Sequence, residues 1–227
     1  MWPEVVLVLG SYLLGAFPLL YLLGRLRGVD LRQEEDMHIS LWRKVGRVEG
    51  ALGIGGDFAK GVIVVAVARA VGFDILWIAV AGVAVVVGQM WTVFNRFDGE
   101  KGNSIGLAMA GTLATIPLFI ALVPIAAGAF IRTIPRLVKP TESVRQKLVF
   151  GGPPSLSLPL GVAIGFAVLP LIAWGLGYAT EIIFAFVALF VLIMVRRVTA
   201  GVREELRQAS NKKAVLLNRF LFDRGQI

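Results

Sequence analysis

Lys101 stands between Glu100 and Gly102, with Gly99 just ahead, in the stretch 88–106 that reads GQMWTVFNRFDGEKGNSIG. Glycine lets backbone N–H groups come close to an anion, and lysine supplies a point charge for it. Gly99, Lys101 and Gly102 therefore have the makings of a phosphate-holding loop. The plainer reading is an interfacial turn with one snorkelling lysine. A second feature is Asp57 and Lys60, three residues apart near the start of an apolar run, where an ionisable group calls for a reason. At that spacing they can pair on one helix face, or Lys60 can face a substrate. Arg43, Ser210 and Asn211 complete a set of cations, amides and hydroxyls suited to a phosphorylated substrate at a lipid surface. The GEKGNS segment lacks the GxxxxGK[ST] spacing and no GxSxG elbow occurs, so nucleotide-driven chemistry and a Ser-His-Asp triad lack support. The chain has no cysteine, and its one histidine, His38, reads as a solvated loop residue. No metal or cofactor is expected.

The elements that must position these residues are membrane spans. The chain of 227 residues is 57% hydrophobic and 17% charged, with mean hydropathy +0.78, far more apolar than a soluble domain of that size needs to be. Several runs approach the roughly 20 residues that cross a bilayer, and spans must satisfy their own backbone groups. The fold class is therefore all-α, a polytopic transmembrane helix bundle in a single domain over 1–227. Apolar runs fall at 5–24, 51–71, 75–94, 107–131, 160–177 and 182–195. The fourth holds Pro117 and Pro124, and the GxxxG from Gly161 to Gly165 permits close helix packing within or between chains. The net charge of +8 sits at the ends of these runs, the pattern of membrane orientation and anionic headgroups and not of nucleic-acid binding. The loop 25–49, the Lys101 loop, the segment 132–147 (with Arg132, Arg136, Lys139, Arg145 and Lys147) and the tail 196–227 are basic. The connections 72–74 and 177–181 carry no Lys or Arg. All four basic segments face the cytoplasm only if 107–131 dips in and returns as two proline-broken half-helices. That gives about seven helical segments, with the N-terminus outside and the C-terminus in the cytoplasm of a plasma-membrane protein.

Taken together, these stretches resemble the bacterial acyl-phosphate:glycerol-3-phosphate acyltransferases. The family's second motif, approximately GHxxPxFxxFxGGKGVAT, is met by GQMWTVFNRFDGEKGNSI, with Gly88, Phe94, Phe97, Gly99, Lys101 and Gly102 in register. Its Asp-x-x-Lys-Gly is met by Asp57 to Gly61. Its Gly-x-Asp-[IL]-Arg is met by Gly28 to Arg32, and its Arg-x-x-Gly by Arg43 to Gly46. A C-terminal motif close to His-x-Ser-Asn is met by Gln208, Ala209, Ser210 and Asn211. The resemblance implies acyl transfer from acyl-phosphate to the 1-hydroxyl of glycerol 3-phosphate, giving lysophosphatidic acid in phospholipid biosynthesis. It implies that Arg43, Lys60 and the Gly99, Lys101, Gly102 loop hold phosphate. Asn211, with Ser210 and Gln208, would orient the hydroxyl or the acyl carbonyl, and Asp57, Gln89 and Ser40 would be structural or substrate-orienting.

The chain also departs from the family. The GSGNxGATN signature is not recognisable between Arg32 and Arg43, and Ser40 falls near its final asparagine. Gln89 and Gln208 stand where the motifs carry histidine. Glutamine hydrogen-bonds but takes no proton near neutral pH. Glu100 replaces a glycine beside the phosphate loop. An alternative is therefore a degenerate homologue that binds a phosphorylated lipid precursor, or assists an active paralogue, without catalysis. A small transporter is a third reading, for which no inverted repeat speaks.

Overall fold

The computed structural model describes residues 2–32, 34, 36–137 and 155–225. Lys139, Arg145, Lys147 and the Gly/Pro/Ser-rich passage up to Pro154 lie outside the described residues. Among those described, every regular element is helical. The order is α1 (Trp2–Ala16), α2 (Leu19–Leu26), α3 (Met37–Ser40), a π-helical turn (Leu41–Val45), α4 (Arg47–Val71) and α5 (Ile75–Met90). A short 3-10 turn (Val93–Asn95) leads to α6 (Asn103–Leu113) and α7 (Thr115–Leu137). The chain continues with α8 (Ser157–Gly175), α9 (Thr180–Thr199), α10 (Val202–Gln208) and α11 (Lys212–Phe222). Six stretches are long and apolar enough to cross a bilayer, counting α1 and α2 as one.

The run 5–24, expected as one span, is broken. Pro18 has no N–H to give to the helix, and the chain steps aside at Phe17–Pro18 before α2 resumes. The break exposes backbone carbonyls that other elements use. Thr92 donates its hydroxyl to Ala16 O at 2.7 Å, and Lys60 Nζ donates to Phe17 O at 2.8 Å.

The run 107–131 is also divided, but not by its prolines. The break falls at Ala114, whose backbone is extended. It separates the 11-residue α6 from the 23-residue α7. Pro117 lies in the first turn of α7, where its missing N–H has no intrahelical acceptor in any case, and Pro124 sits inside a continuous helix. What stabilises the break is Arg69, near the end of α4, which donates to Thr112 O at 2.7 Å and Leu113 O at 2.9 Å. These are carbonyls the helix end would otherwise leave unpaired. Together with the close approach of Gly61 to Ile105 and Ala108, these contacts show that α6 runs from the level of Lys60 to the far end of α4. The bundle thus has seven alternating segments, one of them short.

α5 and α6 lie at the centre, α5 packed on α1, α4 and α9, and α6 on α4. Their small faces meet Val65, Met90, Ile105, Met109, Phe166 and Phe186 in one core. Large apolar side chains such as Val62, Phe119, Val123, Trp174 and Phe184 point outward, the surface a lipid-facing bundle requires. The GxxxG glycines pack within the chain: a Cβ on Gly161 would lie 2.4 Å from Pro124 O, and one on Gly165 2.8 Å from Ala121 O, both on α7. Arg132, Lys101, Arg197 and the start of α8 all gather at one end of the bundle.

Candidate active site

The loop between α5 and α6 folds back on the end of α5. Gly99 N–H donates to Met90 O at 3.1 Å and Glu100 N–H to Gln89 O at 3.0 Å. A side chain at 99 has no room, because a Cβ there would lie 2.0 Å from Gln89 O. Gly102 has φ +76, in the left-handed region that glycine enters without penalty, and it turns the chain into α6. From α9, Arg196 grips the loop through the Asp98 carboxylate and through Gly99 O at 2.6 Å. The loop is therefore held at both edges, with Lys101 projecting beyond it.

Lys101 opens into a polar cavity of about 460 Å³. Arg43 reaches it from the π-helical turn, Arg132 from α7, Arg197 from α9 and Arg224 from the residues after α11. Asn103 contributes from the first turn of α6. Cations outnumber the carboxylates Glu34, Asp36 and Asp223 in this lining. Arg197 is 1% exposed and donates to Pro159 O at 3.0 Å. The Nε groups of Arg197 and Arg224 are buried with no acceptor among the described residues. A buried guanidinium N–H without an acceptor is costly, and the excess of cations gives the cavity a positive lining. Lys101 Nζ meanwhile donates to Asp223 Oδ2 at 2.6 Å.

Behind the loop lies a second cluster around Asp57, which is fully buried. Its Oδ1 accepts from Lys60 Nζ at 2.9 Å. Its Oδ2 accepts from Gln89 Nε2 at 2.6 Å and faces His38 Nε2 at 2.9 Å. His38, expected as a solvated loop residue, is instead mostly buried, because the short α3 packs it against α4. Its Nδ1 lies 3.6 Å from Glu100 Oε2. Burial works against the charged ring, but the hydrogen bond to Asp57 and the nearby Glu100 carboxylate outweigh it and push its pKa up to about 10. Asp57, Lys60, Gln89 and Gly99 line a smaller cavity of about 170 Å³, which Phe17 and Pro18 at the break also line and whose surface is largely apolar. Glu100 lines this cavity too, so the loop 98–101 forms the partition between a polar and an apolar chamber.

The structure brings Arg43, Lys101 and Ser40 to the polar cavity, where the Ser40 hydroxyl donates to Glu34 Oε2 at 2.7 Å. Lys60, with Asp57 and Gln89, belongs to the neighbouring chamber. Gln208, Ser210 and Asn211 line neither. All three are exposed, Gln208 bonds Glu204, and the Asn211 side chain caps α11 by accepting from Ala214 N at 3.1 Å. The Asn-Lys-Lys sequence after a break is itself an N-cap signal, legible on different grounds. Arg197, Arg224 and Asp223 are not among the site residues the sequence points to, and His38 reads there only as a solvated loop residue. The first ends an apolar run and reads there as an orientation signal, and the others carry no local mark.

Comparison with known proteins agrees with this geometry. The profile described as glycerol-3-phosphate acyltransferase matches residues 5–200. A protein of that name from Roseiflexus sp. is 32% identical over 162 residues, covering 70% of this chain and 78% of the relative. Glycerol-3-phosphate acyltransferase 5 of Dehalococcoides mccartyi is 28% identical over 225 residues, covering 97% of this chain and 88% of that protein. The match to the Geotalea daltonii protein, 36% identical over 129 residues, covers 53% of this chain and 66% of the relative, just under two thirds of its length. Among solved structures, the glycerol 3-phosphate form of PlsY (YgiH), an integral membrane glycerol 3-phosphate acyltransferase, superposes with TM-score 0.68 at 23% identity over 91% of both chains. The lysophosphatidic acid form gives 0.66 at 21%, likewise over 91% of both chains. At these identities the likeness is one of fold.

Proposed function

The chain belongs to the glycerol-3-phosphate acyltransferase family, and from that premise we propose that it transfers an acyl group from acyl-phosphate to the 1-hydroxyl of glycerol 3-phosphate. In this reaction the hydroxyl oxygen attacks the acyl carbonyl carbon, the bond from that carbon to the phosphate oxygen breaks, and inorganic phosphate departs. The hydroxyl proton leaves with the phosphate or to solvent, and lysophosphatidic acid is formed.

The observation that carries this reading is the convergence of Arg43, Lys101, Arg197 and Arg224 on one cavity in which cations outnumber carboxylates. Phosphate oxygens are the acceptors these groups fit. Charge-assisted bonds of this kind contribute about 1.5–3 kcal/mol each. The apolar chamber at the Phe17–Pro18 break suits the acyl chain, which would arrive from the bilayer. The reacting atoms then meet at the loop 98–101 that the two chambers share. Catalysis in this arrangement rests on positioning and on cations around the leaving phosphate.

The site faces the cytoplasm in this proposal. The end of the bundle that carries it holds Arg43, Lys101, Arg132, Arg196 and Arg197, whereas the connections at the other end, 72–74 and 176–179, hold no Lys or Arg. The N-terminus is then outside and the tail inside, in the plasma membrane.

Purified protein given acyl-phosphate and glycerol 3-phosphate should release phosphate and form the lysolipid. Turnover no greater than that of a Lys101→Ala control would overturn the assignment. The lost first-loop signature and the Lys101–Asp223 pair favour one other reading, a homologue that binds the phosphorylated precursor without reacting. It requires glycerol 3-phosphate binding with no product.

A further inference from the structure

The loop that presents Lys101 carries a carboxylate with it. Glu100 Oε1 is buried with no hydrogen-bond partner among the described residues, and Oε2 faces His38 Nδ1 at 3.6 Å. On the opposite edge of the ring, Nε2 is 2.9 Å from Asp57 Oδ2. The charged groups facing the imidazole are thus two carboxylates, one from α4 and one from the loop, with Lys60 behind the first. Asp36, on the same short element, is occupied as the cap that accepts from Ile39 N–H.

A neutral imidazole has a single N–H and would turn a lone pair toward one of its two carboxylates, whereas the imidazolium donates to both. The balance of charge points the same way. Lys60 matches Asp57, so Glu100 is left to His38.

We propose that His38 is a positioning residue of the acyl-transfer site, an imidazolium that neutralises Glu100 and ties the Lys101 loop to α4. It rests on the acyltransferase reading for its kinetic consequence, but not for the charge state of the ring. His38 belongs to the same continuous turn as Ser40 and Arg43, and Glu100 is the residue before Lys101. One ring therefore couples the two walls that bring cations to the polar cavity. Without its charge, Glu100 competes with the substrate phosphate for Lys101 and repels the incoming dianion. The lost quantity is affinity for glycerol 3-phosphate, not the rate of the bound complex. The glutamate that looks out of place in the sequence is then one half of a pair.

Because His38 is the one histidine in the chain, isotope-labelled histidine gives a single ring signal in nuclear magnetic resonance of the full protein in lipid nanodiscs. Both ring nitrogens should be protonated at about pH 8, and Glu100→Gln should lower the pH at which the ring deprotonates. In kinetics, His38→Ala should raise KM for glycerol 3-phosphate about tenfold, with kcat within about threefold of the parent, and adding Glu100→Gln should restore most of the KM. A neutral ring at that pH, an unchanged KM in His38→Ala, or a loss that Glu100→Gln does not relieve would each overturn the proposal. Failure of the parent protein to turn over would count against the acyltransferase reading, and the ring signal would then decide the role of His38 by itself.

Discussion

Lys101 is paired before any substrate arrives: its ammonium lies 2.6 Å from Asp223. A phosphate must displace or share that contact, so Asp223 competes for the group that binds it. Asp223→Asn should therefore lower KM for glycerol 3-phosphate, by about threefold, in steady-state assays at fixed acyl-phosphate. Lys101→Ala and Arg43→Ala should each cut kcat/KM by about tenfold to a hundredfold, the loss of one charge-assisted contact. Arg43→Lys should rescue little if the fork geometry matters. The raised pKa of His38 adds a pH signature. Its contribution to stability is fully present below about pH 6.5 and is lost as pH rises through about 10, so the difference in melting temperature between parent and His38→Gln should shrink across that window. At this scale the sequence was legible where residue type alone implies chemistry: Gly99, Lys101, Gly102 and Arg43 stand at the cavity or shape its loop. It was silent where partners come from distant segments. Nothing near His38 announces Asp57, 19 residues on, and a composition that makes Glu100 look adverse does not reveal the ring that offsets it.

The helices place the site mainly through their interruptions. Pro18 stands in plain view within the run 5–24, yet hydropathy alone reads the run as continuous, because a break changes no side chain's polarity. In the run 107–131 the opposite holds. Two prolines suggest a break, but the helix accommodates both, and the division falls at Ala114, where Arg69 supplies donors from another helix. Such a break depends on a tertiary contact and leaves no local trace. Arg69→Met removes two hydrogen bonds to the end of α6. It should destabilise the protein by about 1–3 kcal/mol, visible as a lower thermal midpoint in detergent, with KM for glycerol 3-phosphate little changed. The asymmetry between stability and affinity is the check, since Arg69 lies at the end of the bundle away from Lys101.

For the whole molecule, the clustering of basic residues at one end was readable from the order of runs and charges alone. The number of segments follows from the need to keep those charges on one side. The absence of cysteine makes this orientation directly measurable. Single cysteines placed at Gly72 or Gly177 should react with a membrane-impermeant maleimide added to intact cells. One at exposed Arg203 should react only after the membrane is opened. Labelling of all three from outside would refute the assignment. What sequence could not supply is the way the tail returns to the site. Residues beyond 200, where the family profile ends, were legible as a basic tail, but their walling of the polar cavity through Phe222, Asp223 and Arg224 is a matter of tertiary packing.

That return has a consequence in time. Lys101 and its partner Asp223 are 122 residues apart, and α6 to α11 are synthesised between them. The spans can insert and pack one after another, but the polar cavity lacks its last wall until residue 224 has been added. A nascent chain lodged in the bilayer with its bundle nearly complete is therefore still open at the substrate end. Residues 222–224, which follow the last of the described spans, close it.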